Sequence, residues 1–411
     1  MGKVNVVVGM QYGDEGKGKL VDFLAADADY VVRFQGGNNA GHTVVVNGVP
    51  TVLHFIPSGA FHDNICVMGN GVVLDLEELQ KEVDMLETKG VSLKGRFLIS
   101  ENAHLILPAD VEDSVHDKIG STGKGIAPAY TSKYAKTGLR VRDIINVQND
   151  LHEFDTKTRE KLIRFKEFLL KYSHLKNQIV NVSKVLNEAI DSGKNILFEG
   201  AQAAGLDIDH GHYPFVTSSN CTAGGACTGS GVGPTRIDKV FGVSKVYITR
   251  VDRDSASPLT TQMDEEVMKK IQEKGNEYGA TTGRPRRCGW YDAVLNRHAV
   301  RVNSLSGVAL TKLDVLDGLG SIKICTHYDL DGELLDDYPA DAAMQRRCKP
   351  IYETMPGWRE NTKDCKSFDD LPENAKDYIK RIEVLLNVPV IMVTNGPDRE
   401  EYIPINMHVI E

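Results

Sequence analysis

An α/β fold, built on a large, mostly parallel β-sheet flanked by helices, is the architecture this sequence predicts, and three observations predict it. Short runs rich in β-branched residues alternate with amphipathic helical stretches along most of the 411 residues, the pattern of a sheet covered on both faces. The first apolar run passes through a glycine-rich turn into helical spacing, in VVVGMQYGDEGKGKLVDFL at 6–24. No Pro/Ser-rich linker, low-complexity tract or internal repeat divides the chain, so 1–411 reads as one domain with long insertions.

The elements follow in order. After the opening strand and helix, VVRF at 31 reads as a strand, and Val44 to Phe55 as a hairpin whose Asn47-Gly48 pair suits a type I′ turn. Leu76, Leu79, Val83 and Leu86 share one helical face, with Asp75 placed to cap its start and Gly90 to end it. The same spacing predicts helices near 157–172, 264–274, 292–303 and 374–387. FLIS at 97, NILFEG at 195, KVYITRV at 245, GVALTKLD at 307 and PVIMVTN at 389 read as strands. Three insertions, 36–43, 120–128 and 205–235, are rich in Gly, Ser, Thr and Asn; loops that long in a compact domain usually carry function.

Charge and composition narrow the function classes. With 48 basic and 57 acidic side chains the formal charge is −9, which argues against a general nucleic-acid or membrane-surface binder. Anionic ligands must then be held by local basic clusters. No run of eighteen apolar residues occurs and no signal pattern precedes the first strand, which predicts a cytoplasmic protein. Seven cysteines without CxxC spacing predict neither a disulfide framework nor a zinc site.

Four stretches carry chemistry. The turn after Gly9 departs from a Walker A loop: six residues separate Gly9 from Gly16-Lys17, and Gly18 stands where a Ser or Thr hydroxyl would ligate Mg²⁺. It keeps the glycines, the helix N-terminus and the Lys17 charge that cradle phosphate. Asp14 and Glu15 sit inside it, and a carboxylate beside polyphosphate is repulsive unless it holds a metal or moves a proton. The alternative is an ordinary strand-helix turn with solvated carboxylates. In Thr311-Lys312-Leu313-Asp314, an aspartate at a strand end matches the N1–H and N2–H donors of guanine, favouring GTP over ATP. His42, in the small-residue loop GGNNAGHT at 36–43, is the one side chain there able to move a proton near neutral pH. Gly279 to Arg287 places three arginines within four residues; their mutual repulsion calls for an anionic ligand. Asp207 to His212 mimics a metal cluster but fits neither zinc nor calcium spacing, and the basic stretch from Lys157 to Lys171 reads as a solvated face.

QYGDEGKGK at 11–19, QGGNNAGHT at 35–43, IGSTGKGIAPAY at 119–130, FEGAQ at 198–202, LDIDHGHYPFVTSSN at 206–220, GATTGRPRRCGW at 279–290, LTKLDVLDG at 310–318 and YETMPGW at 352–358, taken together and in order, closely resemble the adenylosuccinate synthetase family. The resemblance implies a homodimeric, Mg²⁺-requiring enzyme that joins IMP to L-aspartate at the expense of GTP. It implies Asp14 as the base that removes the N1 proton of IMP and, with the Gly41 carbonyl, as the Mg²⁺ ligand; His42 as the catalytic acid; and Gln202 as a further catalytic, IMP-contacting group. Asn39, Ala40, Thr122 and Thr217 are expected at IMP, and Ala280, Thr281, Thr282, Gly283 and Arg284 at aspartate. Gly13, Glu15, Gly16, Lys17, Gly18 and Lys19 form the phosphate turn, with Thr43 and Arg286 reaching the nucleotide. Lys312, Leu313, Asp314, Thr394, Asn395 and Gly396 are expected around guanosine. Where the family places an arginine that crosses the dimer interface to the IMP phosphate, this chain has Lys136, which keeps the charge but loses the two-pronged fork.

Two alternatives stay open on sequence alone. A GTP-binding switch shares the phosphate turn and the TKxD strand end but does not need Asp14 with His42. A ligase of the same fold acting on another 6-oxopurine nucleotide, such as dGMP, is the nearer rival, and the retained Asp14 argues against it.

Overall fold

The computed structural model describes residues 2–46, 48–115, 123–146, 154–251, 257–279, 283, 285–339 and 341–411. Ten strands form the central sheet: β1 Val4–Gly9, β2 Tyr30–Arg33, β3 Ile65–Met68, β4 Phe97–Ser100, β5 Ile179–Val180, β6 Ile196–Glu199, β7 Lys239–Lys245, β8 Gly307–Thr311, β9 Val390–Thr394 and β10 Tyr402–Pro404. Their order across the sheet is β10-β9-β8-β7-β1-β6-β2-β3-β4-β5. Every pairing is parallel except that of β9 with β10. β1 lies at the centre, with Val6 opposite Phe198 on one side and Val240 on the other.

Burial on both faces explains the composition of the strands. Val6 and Val8 point into one apolar cluster with Phe198 and Val240, while Val7 points to the other, against Leu20, Val21 and Leu24 of helix Lys17–Ala25. A strand with no solvent face has no reason to alternate with polar residues. The mostly parallel α/β class predicted from sequence is therefore the observed one.

Most elements lie where the spacing places them. The helix from Leu76 to Thr88 is capped by Asp75, whose carboxylate accepts from the backbone N–H of Glu77 and Glu78. Helices Thr156–Lys171, Glu265–Gly275, Ala293–Asn303 and Glu373–Leu386 match the other four. The hairpin pairs His42–Val46 with Val49–Leu53; Asn47 lies outside the described residues.

Two expectations need correction. KVYITRV is not one strand: Lys245 ends β7, and Ile248–Arg250 starts a separate pairing with Arg287–Gly289. The break has a local cause, since the Gln11 side-chain amide donates to the carbonyls of both Lys245 and Tyr247 and turns the chain there. The helix Thr156–Lys171 is not merely a solvated face. Leu162, Phe165 and Phe168 are buried, and its cations pair with the acidic helix beside it, Lys161 with Asp75 at 3.3 Å and Arg164 with Glu77 at 3.0 Å. Helix Ile126–Ala135, which starts at the end of the second insertion, and helix Gly224–Ser230, within the third, were not expected.

Candidate active site at the carboxyl ends of β1, β6, β7 and β8

Backbone conformation marks the site before any side chain is considered. Among the described residues, eight non-glycine positions have positive φ. Lys136, Asn276, Ser304 and Asn387 terminate helices, and Asp331 lies in the turn between Ser321–Leu330 and Glu333–Leu335. The other three are Asp14 (φ 58°), Gln202 (φ 52°) and Lys312 (φ 63°). All three follow carboxyl ends of central strands, where open α/β sheets bind ligands. Left-handed backbone at such residues costs on the order of 1–3 kcal/mol and clusters at functional positions.

The two carboxylates of the phosphate turn go to different work. Glu15 is completely buried; its carboxylate accepts from the backbone N–H of Gln11 (3.0 Å) and Gly13 (2.9 Å) and pairs with Lys17 Nζ at 2.7 Å. It holds the turn's own shape. Asp14 remains 44% exposed, and Arg286 takes its Oδ2 at 2.7 Å. Gly9 is required by close approach, because a Cβ there would lie 2.6 Å from the Gln202 carbonyl and 2.7 Å from Glu15 Oε2. Gly18 opens the helix against the hairpin, where a Cβ would lie 2.9 Å from the Thr43 carbonyl. Thr311 Oγ1 donates to the Glu15 carbonyl at 2.6 Å, joining the turn to β8.

His42 starts the hairpin and is buried, its Nδ1 against Glu199 at the end of β6. Burial opposes the charge on Glu199, but His42, Arg33 and Ser58 overcome it and hold the carboxyl at about 2. Ser58 supplies both its N–H (2.8 Å) and its hydroxyl (2.7 Å). Burial also pushes His42 below its ordinary value, with Glu199 working in the opposite sense. An ionised Glu199 can only accept, so the Nδ1 proton points to it and Nε2 is left for chemistry. Arg33, the parallel neighbour of Glu199, is buried with Nε and Nη1 unpaired among the described residues.

The expected IMP residues converge in part. Asn39 Nδ2 donates to Thr217 Oγ1 at 3.3 Å, and the Ala40 carbonyl meets His54 Nδ1. Gln202 Oε1 accepts from Gln35 at 3.1 Å while its Nε2 is buried without a partner among the described residues. A buried unpaired amide at such a place suits a ligand acceptor. Lys136 is exposed at the end of helix Ile126–Ala135. Gly283 is exposed, and its N–H donates to the Gly279 carbonyl at 2.8 Å. Thr122, Ala280, Thr281, Thr282 and Arg284 lie outside the described residues.

At the other end of the site, the Lys312 N–H donates to Thr394 Oγ1 at 3.1 Å and its ammonium to the Gly275 carbonyl at 2.6 Å. Burial, then repulsion from Asp317, raises the Asp314 carboxyl above its usual value. Lys19 Nζ ties the phosphate helix to the loop after β9 through the carbonyls of Gly396 (2.8 Å) and Glu401 (2.7 Å), and burial lowers it to about 8. Leu313 is wholly buried, and the Asn395 side chain is turned away to the carbonyls of Thr362, Lys363 and Cys365. The Asn395 Oδ1 is buried without a partner among the described residues.

Sequence reasoning did not single out Glu199, Arg33, Lys245 or Glu277. Glu199 lies in the FEGAQ stretch at a strand end, and Glu277 stands two residues ahead of the arginine loop; both positions carried a readable signal. The metal-like run at 207–212 is scaffold at its first residue: the Asp207 carboxylate accepts backbone N–H bonds from Asp209, His210, Cys221 and Thr222. Among the described residues no group of three or more His, Cys, Asp or Glu side chains could hold a metal. A single half-exposed carboxylate such as Asp14, whose Oδ2 meets Arg286, instead fits Mg²⁺, which takes one or two carboxylates and completes its shell with substrate phosphates.

A phosphate turn on the central strand, a lysine-aspartate pair at a neighbouring strand end and a buried histidine-carboxylate dyad define a nucleotide-dependent enzyme of the parallel α/β class. The family model described as Adenylosuccinate synthetase matches residues 6–403, and the chain belongs to that family. Adenylosuccinate synthetase of Desulfatibacillum aliphaticivorans is 49% identical over 96% of this chain and 97% of its own, and that of Bifidobacterium longum subsp. infantis 48% over 98% of each. The fully ligated adenylosuccinate synthetase of Plasmodium falciparum superposes with TM-score 0.92 at 37% identity, covering 98% of this chain and 100% of that one. A cyanophage S-2L succinoaminodeoxyadenylate synthetase bound to dGMP and dATP has TM-score 0.66 at 20% identity, over 98% of this chain and 95% of that one, and shares the fold. The reaction is the GTP-dependent ligation of IMP with L-aspartate, a step of AMP biosynthesis. No helix among the described residues is long and apolar enough to cross a membrane.

Proposed function

We propose that Asp14 is the general base of this ligation and His42 its acid. Asp14 removes the N1 proton of IMP, which places negative charge on O6; O6 attacks the γ-phosphorus of GTP, the bond to the bridging oxygen breaks, and GDP leaves. His42 Nε2 donates to the phosphate oxygens as charge moves toward GDP, and the anionic Glu199 behind Nδ1 stabilises the imidazole in its protonated form. The amine of L-aspartate then attacks C6 of 6-phosphoryl-IMP, losing a proton as inorganic phosphate departs. Phosphorylation converts a poor leaving group at C6 into a good one.

Asp14 and the Gly41 carbonyl would hold Mg²⁺, which when bound neutralises charge on the phosphate oxygens. Glu15 fixes the turn so that Gly13, Gly16, Lys17 and Gly18 face phosphate, while Thr43 and Arg286 reach the nucleotide. Lys312 and Asp314, with backbone from Leu313, Thr394, Asn395 and Gly396, enclose guanine. Asn39, Ala40, Thr122, Gln202 and Thr217 receive IMP, and the 280–284 loop receives the aspartate carboxylates. The exposed Lys136 supports a homodimer in which each subunit lends a cation to its partner's IMP phosphate. The whole chain, 1–411, acts as one domain in the cytoplasm.

The observation that carries these assignments is the outward Asp14 on a strained backbone, beside a sister carboxylate fully occupied with the turn. The test is an omission assay with purified protein: GDP and phosphate appear only when GTP, Mg²⁺, IMP and L-aspartate are all present. Release of GDP without IMP would point to a switch, and release with dGMP but not IMP to the rival ligase.

A further inference from the structure

We propose that Glu277 is the positioning residue for GTP, one buried carboxylate that sets both the lysine under the guanine and the arginine beside the catalytic base. The proposal rests on the reading above that Lys312 and Arg286 face GTP. Glu277 has no solvent exposure, and its two oxygens are divided between the ends of the nucleotide site. Oε1 takes Lys312 Nζ at 2.8 Å, Lys245 Nζ at 2.9 Å and the Tyr247 hydroxyl at 2.6 Å. Oε2 takes Arg286 Nη1 at 2.7 Å and shares Lys245 Nζ at 3.0 Å, so Lys312 and Arg286 hold different oxygens while Lys245 bridges both. The same guanidinium then reaches Asp14 Oδ2 with Nη2, also at 2.7 Å.

The arrangement has a physical consequence for each cation. Lys312 is pinned at its backbone by Thr394 and at its ammonium by Glu277 and Gly275, so its aliphatic stem is a fixed surface for a purine face. Arg286 is half-neutralised from behind, which orients its remaining edge toward Asp14 and the phosphates. Lys245 is wholly buried, and beyond Glu277 its ammonium donates to the Thr249 hydroxyl at 2.7 Å and lies over the Tyr247 ring at 5.6 Å from its centroid. Three cations against Glu277 and Asp14 leave a local balance of 3 − 2 = +1, a standing attraction for phosphate. Burial works against the Glu277 charge, but Lys245, Lys312 and Arg286 hold its carboxyl far below the usual range. Because Lys312 and Arg286 share one carboxylate, a shift at either end of the nucleotide is felt at the other.

The competing account is that Glu277 only neutralises Lys245. Steady-state kinetics of Glu277→Gln, of the double variant Lys245→Met/Glu277→Gln and of Lys312→Ala separate the two. Positioning predicts that Glu277→Gln raises KM for GTP by about tenfold, the size expected for losing a buried charged contact, and weakens the preference for GTP over ITP. KM for IMP changes by less than about threefold, within the scatter of an uninvolved site. The double variant removes the orphaned cation and restores thermal stability, which keeps the test open if the single variant is unstable; its KM for GTP stays high. Recovery of GTP affinity in the double variant, or equal shifts in KM for GTP and IMP, overturns the proposal. If Lys312→Ala raises KM for GTP and Glu277→Gln does not, the proposal alone fails. If Lys312→Ala leaves KM for GTP unchanged, the reading of the guanine end fails and takes the proposal with it.

Discussion

The phosphate turn and the Glu277 cluster solve the same problem in opposite ways. Each fixes cations for a polyanion by giving them a fully buried carboxylate. In the turn, Lys17 and Glu15 are two residues apart, and the other groups the Glu15 carboxylate holds, the N–H of Gln11 and of Gly13, lie within four positions of it. In the cluster, Glu277 draws on Arg286 nine residues away, Lys245 at 32 and Lys312 at 35. The first can be specified by a short stretch of chain. The second exists only once β7, β8 and the helix Glu265–Gly275 have packed, so its accuracy depends on the sheet. On the proposed reading, the nucleotide is gripped at its phosphates by local geometry and at its base by tertiary structure.

Substitutions in the two regions should separate these modes. The largest effect is expected from Asp14→Asn, which removes the base but not the cradle: kcat falls by about 10³-fold or more while the dissociation constant for GTP changes little. Near-normal turnover, measured with saturating substrates, would remove Asp14 from its role. Next comes Glu15→Gln, which leaves Lys17 buried beside a neutral amide. Breaking a buried pair in this way costs about 3–5 kcal/mol, read as a lowered denaturant midpoint. If stability holds and only GTP binding weakens, the turn is shaped by its glycines and not by Glu15. The smallest change is expected from Asp314→Asn, a shift of about tenfold in base preference from guanine toward xanthine with little loss of stability. Competition between GTP and XTP would show it, and an unchanged ratio would place guanine recognition elsewhere.

How much was legible in the sequence follows the same division. Asp14, Lys17, His42 and the Lys312/Asp314 strand end were readable because their chemistry is written in consecutive residues. The α/β class was readable because parallel strands are apolar on both faces. What escaped was long-range. The three arginines at 284–287 were expected to need an anionic ligand; for Arg286 part of the answer is internal, since it lies between Glu277 and Asp14. Glu199 escaped because its partner His42 is 157 residues away. Lys245 escaped because a lysine at a strand end reads as solvated, and only the folded sheet shows it buried. The residues expected at the aspartate carboxylates keep their sequence-level assignment, resting on the ATTGR string itself.

One substitution in the opening motif has a steric meaning. The turn lacks the Ser or Thr that follows the lysine in ordinary nucleotide loops, and Gly18 stands in its place. Its α-carbon faces the Thr43 carbonyl so closely that any side chain, even a lone methyl, would have to displace main chain. A hydroxyl for the metal and a histidine delivered on an adjoining ribbon are therefore mutually exclusive at this position. The chain carries the histidine, and on the proposed reading the acidic residue four places earlier is the one left to meet the ion.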